Sequence, residues 1–272
     1  MPRAPDPSRV VLAGSGRFIP NEIRYGGRMA DVFEDLAAEY RQLDAVLGSL
    51  TQEQWARPSG ADGWTVSDVV LHLVQTEEVI IAPPSGAGEA FLSGEGTTVD
   101  ALAADMVSAE RGIPPEELLA RWRRAAFASP GVLRAHPAGT RLPWVRTSLS
   151  PRTLATTRLA EHWAHALDIT VPLGIAYPDT ARLRHVAWLA HRTLPYAFSL
   201  AGLAEVPVFC DLSAPDGTRW TFGGPDAPTR ITGPAAEFCR VGAQRLTPGQ
   251  TGLIAEGPHA ADALRLVRNY AA

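Results

Sequence analysis

Cysteine is scarce in this chain: two residues in 272, Cys210 and Cys239. That is too few for a disulfide framework, and both stand in apolar surroundings that read as buried free thiols. Lysine is absent, so arginine carries the basic charge. With abundant alanine, glycine and proline this reflects a GC-rich coding background and says nothing about the fold. No apolar run approaches eighteen residues, which excludes a membrane-spanning helix. The first residues include Arg3 and Arg9 but no continuous apolar stretch, so a secretory signal is not expected. A formal net charge of −4 leaves no basic footprint for nucleic acid. Neither a dinucleotide-binding G-x-G-x-x-G before a helix, nor a phosphate-binding G-x-x-x-x-G-K-[ST], nor a G-x-S-x-G nucleophile turn occurs. The short Gly14-Ser15-Gly16 stretch lacks the helix start such a loop needs. These absences describe a cytoplasmic protein whose partner is a small molecule, without nucleic acid or membrane. Nothing in them speaks to oligomeric state.

What is present is ordinary for a globular chain: 46% hydrophobic and 20% charged residues. The length suits one large domain or two small ones. Residues 1–28 lack steady periodicity, carry many prolines and glycines, and read as a flexible leader. From Met29 the apolar residues Phe33, Leu36, Tyr40, Leu43, Leu47 and Leu50 recur three or four apart, an amphipathic helical stripe. Thr51 with Gln54, and Thr65 with Asp68, are capping-box pairs that open a short and then a longer helix. The longer one carries Val69, His72 or Leu73, Thr76 and Ile80 on its inward stripe. Residues 82–99 read as a loop or lid, residues 102–107 and 116–127 as helices, and residues 129–149 as a second long connection. Ser150-Pro151 is an N-cap followed by proline, the start of a helix to about Ile169. A further helix is expected from Asp179-Thr180 to about Leu200.

After Leu203 the pattern changes to strands. "VPVFCDLSAPDGTRWTFGG" reads as a hairpin turning at Asp216-Gly217. A short strand in "PTRITG", a helix in "PAAEFCRVGAQRL", a strand in "TGLIAEG" and a closing helix follow. The expected fold is therefore mainly α: a helical bundle over residues 29–203, then a small α+β domain over residues 204–272.

The chemistry-bearing stretch is "RLAEHWAHALDI", Arg158 to Ile169. Residues four apart on a helix lie one above the other, as Glu161 and His165 do. His162 and His165, three apart, are also neighbours, whereas Glu161 and His162 diverge by about 100°. Two faces compete for the inward position, and periodicity leaves the choice open because both stripes are mixed. Two histidine nitrogens and one carboxylate form an N₂O set suited to Zn²⁺, Ni²⁺ or Fe²⁺ with positions left open, and His72 on the apolar helix is a third candidate. Bundle cores regularly house such sites. The two histidines of "HWAH" are three apart, not the four of a zincin motif.

"GWTVSDVVLHLVQTEE" followed far downstream by "RLAEHWAHALDI" resembles the DinB-like metal-binding superfamily, in its actinobacterial branch of mycothiol-dependent maleylpyruvate isomerase-type proteins. The resemblance covers about residues 29–270 and implies a DinB-like four-helix bundle with a small α+β C-terminal domain. It implies metal ligation by His72, Glu161 and His165, with His162 to one side. Asp68 and Asp168 would stand behind the ligands and orient them, although each also fits an ordinary helix role. Arg245, at the end of "PAAEFCRVGAQR", matches the arginine that holds an anionic substrate, and it also fits a solvated helix end. The cofactor implied is a divalent metal, zinc above nickel or iron, with mycothiol as the thiol. Three functions share these residues. One is a metal-dependent enzyme that activates a low-molecular-weight thiol for isomerisation or S-transfer. The second is a thiol-independent Lewis-acid metalloenzyme of specialised metabolism. The third is a non-catalytic metal- or ligand-binding protein.

Overall fold

The computed structural model describes residues 24–25, 28–29, 31–82, 98–145 and 147–269. The chain divides into two compact units, Met1–Asp31 and Val32–Ala272. In the first, strand β1 (Arg24–Tyr25) pairs antiparallel with β2 (Arg28–Met29). Met29 is thus in a strand opposite Arg24 instead of opening a helix. The rest of the expected leader, and residues 83–97 of the expected loop or lid, lie outside the described residues.

Among the described residues, four long helices build the second unit: α1 (Val32–Leu47), α3 (Val66–Ile81), α5 (Pro115–Ala135) and α6 (Pro151–Leu173). The short α2 (Gln52–Trp55) and α4 (Val99–Glu110) lie between them. The predicted stripe of α1 is the buried one, with Phe33, Leu36, Tyr40, Leu43 and Leu47 inside. Both capping boxes form, Thr51 with Gln54 and Thr65 with Asp68. α3 is buried on almost every side from Val66 to Glu77, as a helix packed between α5, α6 and α4 must be. α6 starts at the Ser150 cap and ends on Gly174, whose φ of 67° gives the left-handed C-terminal stop that glycine adopts without strain.

Two expectations are corrected. α5 runs to Ala135, so much of the supposed connection over 129–149 is helix, even through Pro130. Proline at 130 removes the N–H that would bond the Ala126 carbonyl, and the Ser129 hydroxyl donates to that carbonyl instead at 3.2 Å. The remainder forms a hairpin, β3 (Leu142–Trp144) with β4 (Thr147–Leu149). The single helix expected to Leu200 is two, α7 (Leu183–Arg192) and α8 (Leu194–Leu200). The break falls at Thr193, because Pro195 is accepted in the first turn of a helix but not in its interior.

The C-terminal part is a four-stranded sheet: β5 (Val208–Ser213), β6 (Arg219–Phe222), β7 (Thr229–Pro234) and β8 (Ile254–Glu256), in the order β6-β5-β7-β8. β5 and β7 are parallel and the other pairs antiparallel. Helices α9 (Ala235–Gly242) and α10 (Ala260–Leu266) accompany it. α9 packs on α7, and one apolar core runs from the bundle into the sheet. This docking carries the chain just beyond α9 back to α6. Both cysteines are buried free thiols. Among the described residues no helix is long and apolar enough to cross a membrane.

Candidate metal centre

α3 and α6 lie side by side in the bundle. Their contact brings His72 from the first to Glu161 and His165 from the second. One donor atom from each of the three lies within 4.8 Å of the other two. His72 Nε2 is 2.7 Å from Glu161 Oε1, and His165 Nε2 is 3.8 Å from the same oxygen. Donors about 2.1 Å from a common Zn²⁺ in tetrahedral array would stand roughly 3.4 Å apart, and the two separations bracket that value. The side chains are 8%, 27% and 16% exposed for His72, Glu161 and His165. The cluster therefore opens to solvent on the α6 side.

The protonation states suit a cation. Burial holds the His72 imidazole below its ordinary pKa, against the opposing pull of Glu161 to which its Nε2–H donates, and so favours the neutral ring that a cation requires. Burial alone would raise Glu161. The Arg158 charge and the His72 contact more than offset it and keep the carboxyl well below the usual range. His165 Nδ1 donates to Asp168 Oδ2 at 2.9 Å, which fixes the tautomer and presents Nε2 to the cluster. Two imidazoles and one carboxylate, with a water-facing side, fit a divalent ion such as Zn²⁺, Ni²⁺ or Fe²⁺.

The supporting residues are placed as follows. Asp168 also accepts from Arg245, Nε at 2.7 Å and Nη2 at 2.5 Å, and its backbone oxygen accepts from the Gly60 N–H at 2.7 Å. Burial would raise its pKa, but His165 and Arg245 hold the group ionised below the ordinary value. A Cβ at Gly60 would stand 3.1 Å from the Asp168 Cα, so a side chain there would press on α6 where glycine does not. Arg245 gives its remaining nitrogen to the Ala243 carbonyl. Its guanidinium is therefore engaged within the protein, in line behind Asp168 and His165. Asp68 caps α3 through the Thr65 N–H and accepts from Arg111 at 3.0 Å, so its two oxygens are engaged at the helix start. Trp64 lies against both imidazoles: its ring centroid is 5.3 Å from His72 and 6.4 Å from His165, stacked on the latter.

His162, about 60° round α6 from His165, points into the core. It is fully buried, donates Nδ1–H to the Arg158 carbonyl, and accepts from Trp122 Nε1 at 3.3 Å. Tyr40 meets its ring at 4.5 Å. Burial pushes its pKa well down, so it is a neutral packing histidine. His162→Ala should leave bound metal at the wild-type ratio while lowering stability by about 2–3 kcal/mol, through the cavity and the unpaired Trp122 N–H. Elemental analysis and urea unfolding check the two halves of that expectation.

Sequence reading missed one feature of the site. Arg158, Glu77, Thr76 and Tyr40 form a buried polar network beneath the cluster. Arg158, three residues before Glu161, and Glu77, five after His72, look like solvated helix positions until the bundle closes over them.

Comparison with known proteins matches residues 36–170 to the family model for the mycothiol maleylpyruvate isomerase N-terminal domain. The uncharacterized protein Rv0036c of Mycobacterium tuberculosis is 36% identical over 241 residues, covering 87% of this chain and 94% of the relative. The same holds for its counterpart in strain CDC 1551. This chain belongs to the mycothiol maleylpyruvate isomerase-type branch of the DinB-like superfamily. The solved mycothiol-dependent maleylpyruvate isomerase superposes with a TM-score of 0.55 at 15% identity, covering 84% of this chain and 94% of that one. A mutant of the same enzyme gives 0.54 at 14%. At that identity the likeness is one of fold: the DinB-like bundle and its small C-terminal sheet are common to both.

Proposed function

We propose that this DinB-like protein is a metal-dependent thiol enzyme. His72, Glu161 and His165 hold a divalent cation, zinc before nickel or iron, and a low-molecular-weight thiol of the mycothiol kind is the co-substrate. The observation that carries the reading is the meeting of three donor atoms within 4.8 Å at a partly open place. The kinship with a mycothiol-dependent isomerase adds the thiol. When bound, the cation supplies Lewis acidity, lowering the pKa of a coordinated thiol so that sulfur is nucleophilic at neutral pH.

The chain's own residues do the rest. Asp168, braced by Arg245, keeps the proton of His165 on Nδ1 and its Nε2 free to ligate. Glu161 stays anionic beside Arg158. Trp64 covers one side of both imidazoles and excludes water there. Sulfur adding to an activated double bond and then leaving gives isomerisation with the thiol returned. Addition without departure gives S-transfer. Arg245 serves this chemistry as the brace of Asp168.

The test is thiol dependence. The protein is loaded with Zn²⁺ and offered a panel of small cis-enoic acids and epoxides, with mycothiol or N-acetylcysteine present or absent. Product is followed by chromatography and free thiol by titration. Turnover should fall to background when every thiol is omitted. Turnover unchanged without thiol would sink the reading.

A further inference from the structure

The two oxygens of Glu161 face different surroundings. Oε1 faces the imidazoles, while Oε2 lies 3.5 Å from Arg158 Nη1. Arg158 is one turn earlier on α6 and is 0% exposed. Its guanidinium is locked by its other two nitrogens: Nε donates to Glu77 Oε1 at 2.8 Å and Nη2 to Thr76 Oγ1 at 2.6 Å. Glu77, also fully buried, accepts from the Tyr40 hydroxyl at 2.8 Å. The Trp144 ring covers the guanidinium at 5.2 Å. Nη1 makes no hydrogen bond among the described residues, and Glu161 Oε2 is the charge it faces. Burying a guanidinium costs several kcal/mol even when paired. The Glu77 pair accounts for its charge but not for the nitrogen turned toward the ligand.

We propose that Arg158 is a positioning residue that makes Glu161 a one-oxygen ligand. It draws Oε2 to itself and leaves only Oε1 for the cation. Three protein atoms then hold the metal, and the coordination position a second carboxylate oxygen would take stays open for thiol or substrate. Carboxylates bind metals with one or both oxygens, and partners behind the ligand decide which. The inference rests on the metal reading above and deepens it.

The test uses the full chain loaded with Co²⁺, whose visible spectrum reports coordination number, together with X-ray absorption of the same sample. Glu161 in the wild type should ligate through one oxygen. Arg158→Met alone leaves Glu77 buried without its partner, so the double variant Arg158→Met/Glu77→Leu, which removes both charges, is the measured protein. Its Co²⁺ spectrum should shift as the carboxylate turns both oxygens to the ion. Its apparent Kd for N-acetylcysteine, read from the sulfur-to-cobalt band, should rise about tenfold or more, while Co²⁺ is retained.

A wild-type Glu161 bound through both oxygens overturns the inference, and this measurement holds even where the variant does not fold. An unchanged spectrum and thiol Kd in a folded variant overturn it too. A wild type that takes up no Co²⁺ ends both readings. One-oxygen ligation in a protein whose turnover ignores thiol ends only the thiol reading and leaves this one standing.

Discussion

His165→Ala should abolish most metal binding and, with it, most turnover. His165 supplies one of three donors, and the loss cannot be made up by His162, whose ring is turned into the core against Tyr40 and Trp122 and is held there by the Arg158 carbonyl. Changing residues that merely orient a ligand costs about 10–100-fold in affinity, so loss of a ligand itself should exceed about 100-fold. Competition with a chelator and elemental analysis of the purified protein measure it. The fold should persist, because His165 is at the wet edge of the cluster and carries little of the core. A variant that keeps its metal while His162→Ala loses it would place the site on the wrong face of α6.

Glu77→Ala should produce the largest loss of stability. Glu77 is fully buried and accepts from both Arg158 and Tyr40. Without it the Arg158 guanidinium remains inside the bundle with only Thr76 and the more distant Glu161. Breaking a buried pair by removing one partner costs about 3–5 kcal/mol. In a chain of this size that corresponds to a fall in Tm of roughly 10 °C. Thermal and urea unfolding read it directly. The double variant with both charges replaced by apolar residues should recover most of the loss, since a well-packed apolar pair is often as stable as the ion pair it replaces. A single variant within about 1 kcal/mol of wild type would mean that the guanidinium is neutralised by Glu161 alone.

Much of this architecture is local and was legible. The Thr51 and Thr65 capping boxes, the Ser150-Pro151 start, the Asp216-Gly217 turn and the stripe from Phe33 to Leu47 depend on residues within one or two turns of each other. The errors fall where a local rule met a tertiary exception. Pro130 reads as a helix stop, but the Ser129 hydroxyl replaces the lost bond inside a packed bundle and α5 continues. Pro195 reads as tolerated within a helix, but its ring leaves room only for a new start.

At the site the same division holds. Sequence spacing alone makes Glu161 and His165 neighbours, because the helical period allows nothing else, and it likewise sets Arg158 one turn before Glu161. It does not choose between the His162 and His165 faces, because α6 is packed on more than one side and polar residues occur on both. That choice belongs to the tertiary structure, where Tyr40 and Trp122 enclose one imidazole and α3 brings His72 to the other. So does the attachment of Arg245 to Asp168, across 77 residues of chain. Contacts of that length depend on how helices pack, and packing is a property of surfaces that no single segment carries.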